Sequence, residues 1–172
     1  MTLDFEALKA DVARQRAKYP EEVAQLEKER WIRVMCDFSA DGVWNQDGLA
    51  TSPEVLPISI ELMVRIHTWQ AVYETLDPMD GPVDPNDFVQ FVHEGFLIAV
   101  EMKRQLPNWT IIYHDDGRAG ELGGKSGMAY RNALDRYRLW FEYEITDAVI
   151  QSGQKPYTSL DELDTLVSGK AR

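Results

Sequence analysis

The sequence predicts an α+β fold: a single mostly helical domain, residues 1–172, built around a small sheet. Three observations lead there. Two runs rich in β-branched and aromatic residues, near 31–38 and 109–114, read as strands. Apolar residues recur at helical spacing through most of the remaining chain. There is no internal repeat and no long linker to split the chain, so the sum is one mostly helical domain with a small sheet.

The elements follow in chain order. Leu3, Ala7, Leu8, Val12 and Gln15 form a helical stripe that ends at Tyr19-Pro20, because a residue before proline is pushed out of the α region. Pro20-Glu21-Glu22 then suits a helix first turn, with φ preset and negative charge near the positive end of the helix dipole. These two helices make residues 1–30 a charge-laced N-terminal extension. Trp31 to Phe38 reads as the first strand, followed by an acidic turn and an irregular stretch from Thr51 to Pro57. Ser59 caps a helix from Ile60 to about Thr75, with Leu62, Ile66, Trp69 and Tyr73 on one face. Asp84-Pro85 starts a long helix running to Leu106, apolar over a wide arc, with Gly95 in its middle at a cost that is tolerable if another backbone packs close there. Asn108 to Tyr113 is the second strand, and residues 114–127 form a loop with five glycines. Helical spacing returns from Met128 to about Gln151, although the aromatics of 138–145 suit a strand as well. A short helix near Leu160–Val167 closes the chain.

Composition narrows the function. A hydrophobic content of 44% with 27% charged residues is that of an ordinary globular protein. No apolar run approaches the roughly 18 residues that span a bilayer, and the N-terminus lacks the apolar centre of a secretory signal. With a single cysteine, Cys36, the expectation is a cytoplasmic protein. The net charge is −11, and residues 36–106 alone carry −9, with twelve Asp or Glu against three Lys or Arg. Such a field repels nucleic-acid phosphate and anionic lipid and attracts basic partners.

Four stretches resemble sites of chemistry. Asp37, Ser39 and Asp41 alternate ahead of Gly42 like the start of a calcium loop, but the twelfth position is Gly48 in place of a bidentate glutamate. An Asx-rich turn is the simpler reading, which leaves these three as weak metal candidates. Ala119 to Ser126 fits a permissive phosphate-loop pattern, opposed by the aspartates before it and by the lack of a second magnesium ligand downstream. His114, Asp115 and Asp116 at a strand end form the best acid–base cluster. Cys36 has no cationic neighbour in sequence to lower its pKa and reads as a small hydrophobe. The fourth is aromatic: Trp44 stands in the acidic turn, either as a plug over the core or as an anchor for a partner.

The run Val34 to Trp44, with its C-D-F-S-A-D-G-V-W turn, joins with Leu56-Pro57-Ile58-Ser59, Trp69 to Tyr73-Glu74, Glu94-Gly95 and Trp109 to Tyr113. Together these resemble a group of small acidic bacterial proteins of the immunity and toxin-accessory kind, over about residues 31–114. The resemblance implies an immunity or accessory role beside a secreted toxin and carries over no catalytic residue. The acidic segment, the supply of Trp and Tyr and the lack of a complete catalytic set point to a non-enzymatic binding protein without a cofactor. The expected function is therefore an acidic immunity-type protein that binds a basic partner protein, a secreted toxin. Its contacts would come from Asp37, Asp41, Trp44, Asp47, Asp77, Asp80 and Asp84. The alternative is a small metal-dependent hydrolase using His114, Asp115 and Asp116.

Overall fold

The structure is a computed structural model and describes residues 4–76, 81–123 and 127–169. Helix α1 (Phe5–Lys18) starts at Asp4, whose carboxylate accepts from the backbone N–H groups of Glu6 and Ala7. Helix α2 (Pro20–Glu29) follows with proline in its first turn and ends on Arg30 in the left-handed region, φ 51°. The hairpin docks on the domain, with Leu26 buried in the core and Arg16 donating to the carbonyl of Leu56.

Strand β1 (Trp31–Val34) is half as long as the sequence suggests. Its ladder ends when the Met35 N–H turns to the carbonyl of Gly42, closing a turn that leads into β2 (Val43–Trp44). A second turn, in which Asn45 Oδ1 accepts from Leu49 N–H, leads to β3 (Ala50–Thr51). The segment expected to be irregular holds that strand and a 3₁₀ turn, Pro53–Val55. Helix α3 (Ile60–Thr75) is capped by Ser59, and α4 (Pro85–Gln105) by Asp84. Strand β4 is Thr110–His114.

The C-terminal third departs from the sequence reading. The glycine-rich loop contains a helix, α5 (Asp116–Glu121), because Asp115 caps it. The helix expected over 128–151 is four elements: α6 (Gly127–Arg136), α7 (Arg138–Phe141), β5 (Glu142–Glu144) and α8 (Asp147–Ser152). Tyr143 and Ile145 alternate with Glu142 and Glu144, a period of two that lets β5 bury one side against β4. Helix α9 (Leu160–Gly169) ends the described chain.

The sheet order is β3-β2-β1-β4-β5, with β1 and β4 parallel and every other pair antiparallel. Ile32, Val34, Val43, Ile111, Tyr113 and Tyr143 are buried, and α3 and α4 pack on this side as the core. The architecture is thus the α+β domain with a small sheet that the sequence predicts.

Gly95 marks the tightest point of that core. A Cβ placed there would lie 2.4 Å from Trp69 Cζ2 and 2.8 Å from the Tyr113 hydroxyl, so side chains rather than a second backbone occupy the space. Those two groups need the close approach, because Trp69 Nε1 donates to the carbonyl of Phe91 and Tyr113 OH to that of Val92. Gly95→Ala gains about 1 kcal/mol of helix propensity but must displace both donors. We expect a net loss of about 1–3 kcal/mol, read as a lower midpoint in chemical denaturation. An unchanged midpoint would contradict this packing.

Candidate functional site

Because β1 and β4 are parallel neighbours, their carboxyl ends open on the same edge of the sheet. After Val34 the chain turns back towards β2, and after His114 it leaves through α5 towards β5 on the other flank. Such a divergence leaves a crevice beyond the strand ends. A cavity of about 650 Å³ lies there, with Phe38, Tyr73, Phe88, Phe91, His114 and Asp116 among its lining residues.

One wall comes from the turn after β1. Asp37 Oδ1 accepts from the Phe38 N–H at 2.8 Å, and the Asp37 carbonyl accepts from Gln70 Nε2 at 2.8 Å and from the Ala40 N–H. Ser39 (φ 64°) and Gly42 (φ 80°) take left-handed conformations that complete the turn. The result holds Phe38 outward, 53% exposed, with its ring 5.3 Å from that of Tyr73. Tyr73 in turn meets Phe91, which stacks on Trp69. The aromatic series runs from solvent to core.

The opposite wall comes from the end of β4, and there three consecutive residues have three different roles. His114 is half-buried, its Nδ1 3.1 Å from Glu142 Oε1 and its Nε2 3.6 Å from Asp116 Oδ1. Asp115 is 0% exposed and turned away from the cavity wall that His114 and Asp116 form. It caps α5, accepts from Tyr143 OH at 2.8 Å and pairs with Lys155 at 2.5 Å. Arg118 Nε stands 4.0 Å from the same carboxylate. The expected His114–Asp115–Asp116 trio is therefore split: Asp115 is spent on the fold and only His114 and Asp116 face the cavity.

Asp116 is the unusual group. Its Oδ2 is buried and has no hydrogen-bond partner among the described residues. Burial is the main cause that pushes its pKa up to about 6. The His114 imidazole opposes this, and the carboxylates of Asp115 and Asp37 add to it. Glu142 shows the contrast: burial alone would raise it, but His114, Arg33 and Arg138 hold it below the usual carboxylate range. Burial also pushes the Cys36 thiol well up, so the cysteine is an inert core group.

The fold brings some of the sequence-derived residues together and separates others. Asp37 and Asp41 are exposed in the turn that contributes Phe38 to the cavity, and Asp84 is exposed at the start of α4 between the lining residues Val83 and Pro85. Asp47 sits in the β2–β3 turn at the other end of these strands, within 3.5 Å of Gln25. Trp44 is half-buried and donates from Nε1 to the carbonyl of Met35, bracing the turn. Asp77 and Asp80 lie outside the described residues, as do Lys125 and Ser126 of the phosphate-loop pattern. Ala119 and Gly120 of that pattern are helical, which is not the open backbone cradle a phosphate needs. Among the described residues no group of three or more His, Cys, Asp or Glu is placed to hold a metal ion. No helix among them is long and apolar enough to cross a membrane.

The strand-turn unit, the two core helices and β4 together form the segment that known proteins share. Residues 30–116, from the end of α2 to the start of α5, match the family described as Serratia CdiI immunity protein-like. That is half of the chain, and the chain belongs to this family of immunity proteins, which implies a toxin as its partner. A search of curated proteins gives no match.

Proposed function

We propose that this protein neutralises its toxin by binding a basic face of it with the acidic end of the sheet. Family membership supplies the toxin. The observation that carries the rest is Asp116 in the cavity lining, with Asp37 next in sequence to the lining residue Phe38 and Asp84 between the lining residues Val83 and Pro85; Asp37 and Asp84 belong to residues 36–106, which carry most of the chain's net charge of −11. Three separate stretches of chain contribute them, so their convergence is a product of the fold rather than of local sequence. Like charges gathered on one face are costly for the free protein and are offset when a cationic surface covers them. In this reading Trp44 braces the turn that presents Asp37 and Asp41.

The test is association with the cognate toxin. The association rate should fall by about tenfold or more between low salt and 0.5 M salt. An association rate unaffected by salt would overturn the electrostatic reading.

A further inference from the structure

We propose that the cavity at the carboxyl ends of β1 and β4 receives an arginine or lysine side chain of the toxin, its stem between the rings of Phe38, Tyr73 and Phe88 and its charge on Asp116. This rests on the immunity reading for the source of the side chain, and on the cavity alone for its chemistry.

The cavity has the composition that organic cations select. Its walls are largely aromatic, with Phe38, Tyr73, Phe88, Phe91 and Tyr130 around the space, and aromatic faces attract a desolvated cation. Its lining among the described residues includes one carboxylate, Asp116, and no lysine or arginine. An anionic side chain would meet that carboxylate and the nearby Asp37, and a purely apolar one would leave Asp116 with only the His114 imidazole, 3.6 Å from Oδ1, and its Oδ2 without a partner. A cation satisfies both walls at once. The volume of about 650 Å³ exceeds a single side chain, so the flanking residues of a toxin loop enter with it. Asp116 keeps 22% of its side chain exposed, and a turn about its last torsion exchanges its two oxygens at the opening. The unpaired oxygen gives the site its selectivity, because a neutral isostere of arginine cannot supply the missing charge.

The experiment is a nuclear magnetic resonance titration of the full isotope-labelled chain with N-acetylarginine methylamide, and with its citrulline counterpart as the neutral isostere. We expect saturable shifts at the amides of Phe38, Ala119 and Gly120 for arginine. Binding of citrulline should be weaker by about tenfold or more. Asp116→Asn should abolish the difference while leaving the remaining spectrum in place. Equal response to both compounds, or no saturable shift at these amides, would overturn the proposal. Toxin binding separates this inference from the one it rests on. A wild-type chain that binds toxin while Asp116→Asn and Phe38→Ala bind equally tightly sinks the cavity and spares the immunity reading. A wild-type chain that ignores the toxin sinks the immunity reading and leaves the arginine titration to decide the cavity.

Discussion

Arg118→Ala is expected to lower stability by about 3–5 kcal/mol, the largest effect of any single substitution considered. The guanidinium is 9% exposed and donates to three carbonyls, those of Trp140 (3.1 Å), Pro156 (2.7 Å) and Tyr157 (2.5 Å). It lies 4.0 Å from the centre of the Trp140 ring and 5.0 Å from that of Tyr143. It therefore ties α5, α7, β5 and the segment before α9 into one packed unit, using the planar fork that only arginine has. Removing it orphans the carbonyls and leaves the buried Asp115 with Lys155 as its remaining cation. Urea denaturation should show the midpoint falling at constant slope. Arg118→Lys should recover only part of the loss, because one ammonium cannot reach three divergent carbonyls. Arg136→Ala is the control: its salt bridge to Asp164 is 64% exposed on the arginine side, so the midpoint should stay where it is in the wild type. A loss below about 1 kcal/mol for Arg118→Ala would mean that the buried guanidinium is not what holds this corner together.

Asp116→Asn is expected to move stability and binding in opposite directions. The folded-state pKa of about 6 lies above the ordinary value of 3.8, so the folded chain holds a proton that the unfolded chain has released. The associated stability is fully present below about pH 3.8 and is lost as pH rises through about 6. At pH 7.5 the ionised carboxylate is a burden, and asparagine, which fills the same space without charge, removes it. One pKa unit corresponds to about 1.4 kcal/mol, so the gain should be about 1–3 kcal/mol, reduced from the upper figure by partial exposure. The decline of wild-type stability between pH 4 and 6.5 should also flatten in the variant. Affinity for the toxin should nevertheless fall by about tenfold or more. A group that costs the fold stability and is kept for recognition behaves this way. If Asp116→Asn loses stability at pH 7.5, the carboxylate is structural and the functional reading of the cavity fails.

The sequence carried the parts of the molecule that rest on local chemistry. Ser59 and Asp84-Pro85 announced the starts of α3 and α4 because a capping oxygen and a preset φ act within one turn. Trp31–Val34 and Thr110–His114 showed as strands through their β-branched and aromatic content. Strands β2 and β3 are two residues each, too short for any period to register, and exist only because β1 offers an edge to pair with. Strand β5 falls within the stretch 138–145 that suits helix or strand, because the aromatics of α7 continue a helical spacing across the change of element while Glu142-Tyr143-Glu144-Ile145 alternates. The site divides the same way. Asp37 and Asp41 were visible as an acidic turn, and His114 to Asp116 as a titratable cluster at a strand end. That Asp115 points inward while Asp116 faces a cavity is decided by Arg118, Tyr143 and Lys155, two of them more than twenty-five residues away. The capping pattern from Asp115 to the Arg118 N–H was the one local clue.

The most direct measurement is growth of cells that express the cognate toxin together with this chain. Expression of the wild-type protein should restore growth fully. The double variant Asp37→Asn, Asp41→Asn should restore it poorly while remaining folded, because both carboxylates are exposed and neither supports the core. Toxicity that persists in the presence of the folded wild-type chain would contradict its role as an inhibitor. Full rescue by the double variant would contradict the acidic turn as the surface that performs it.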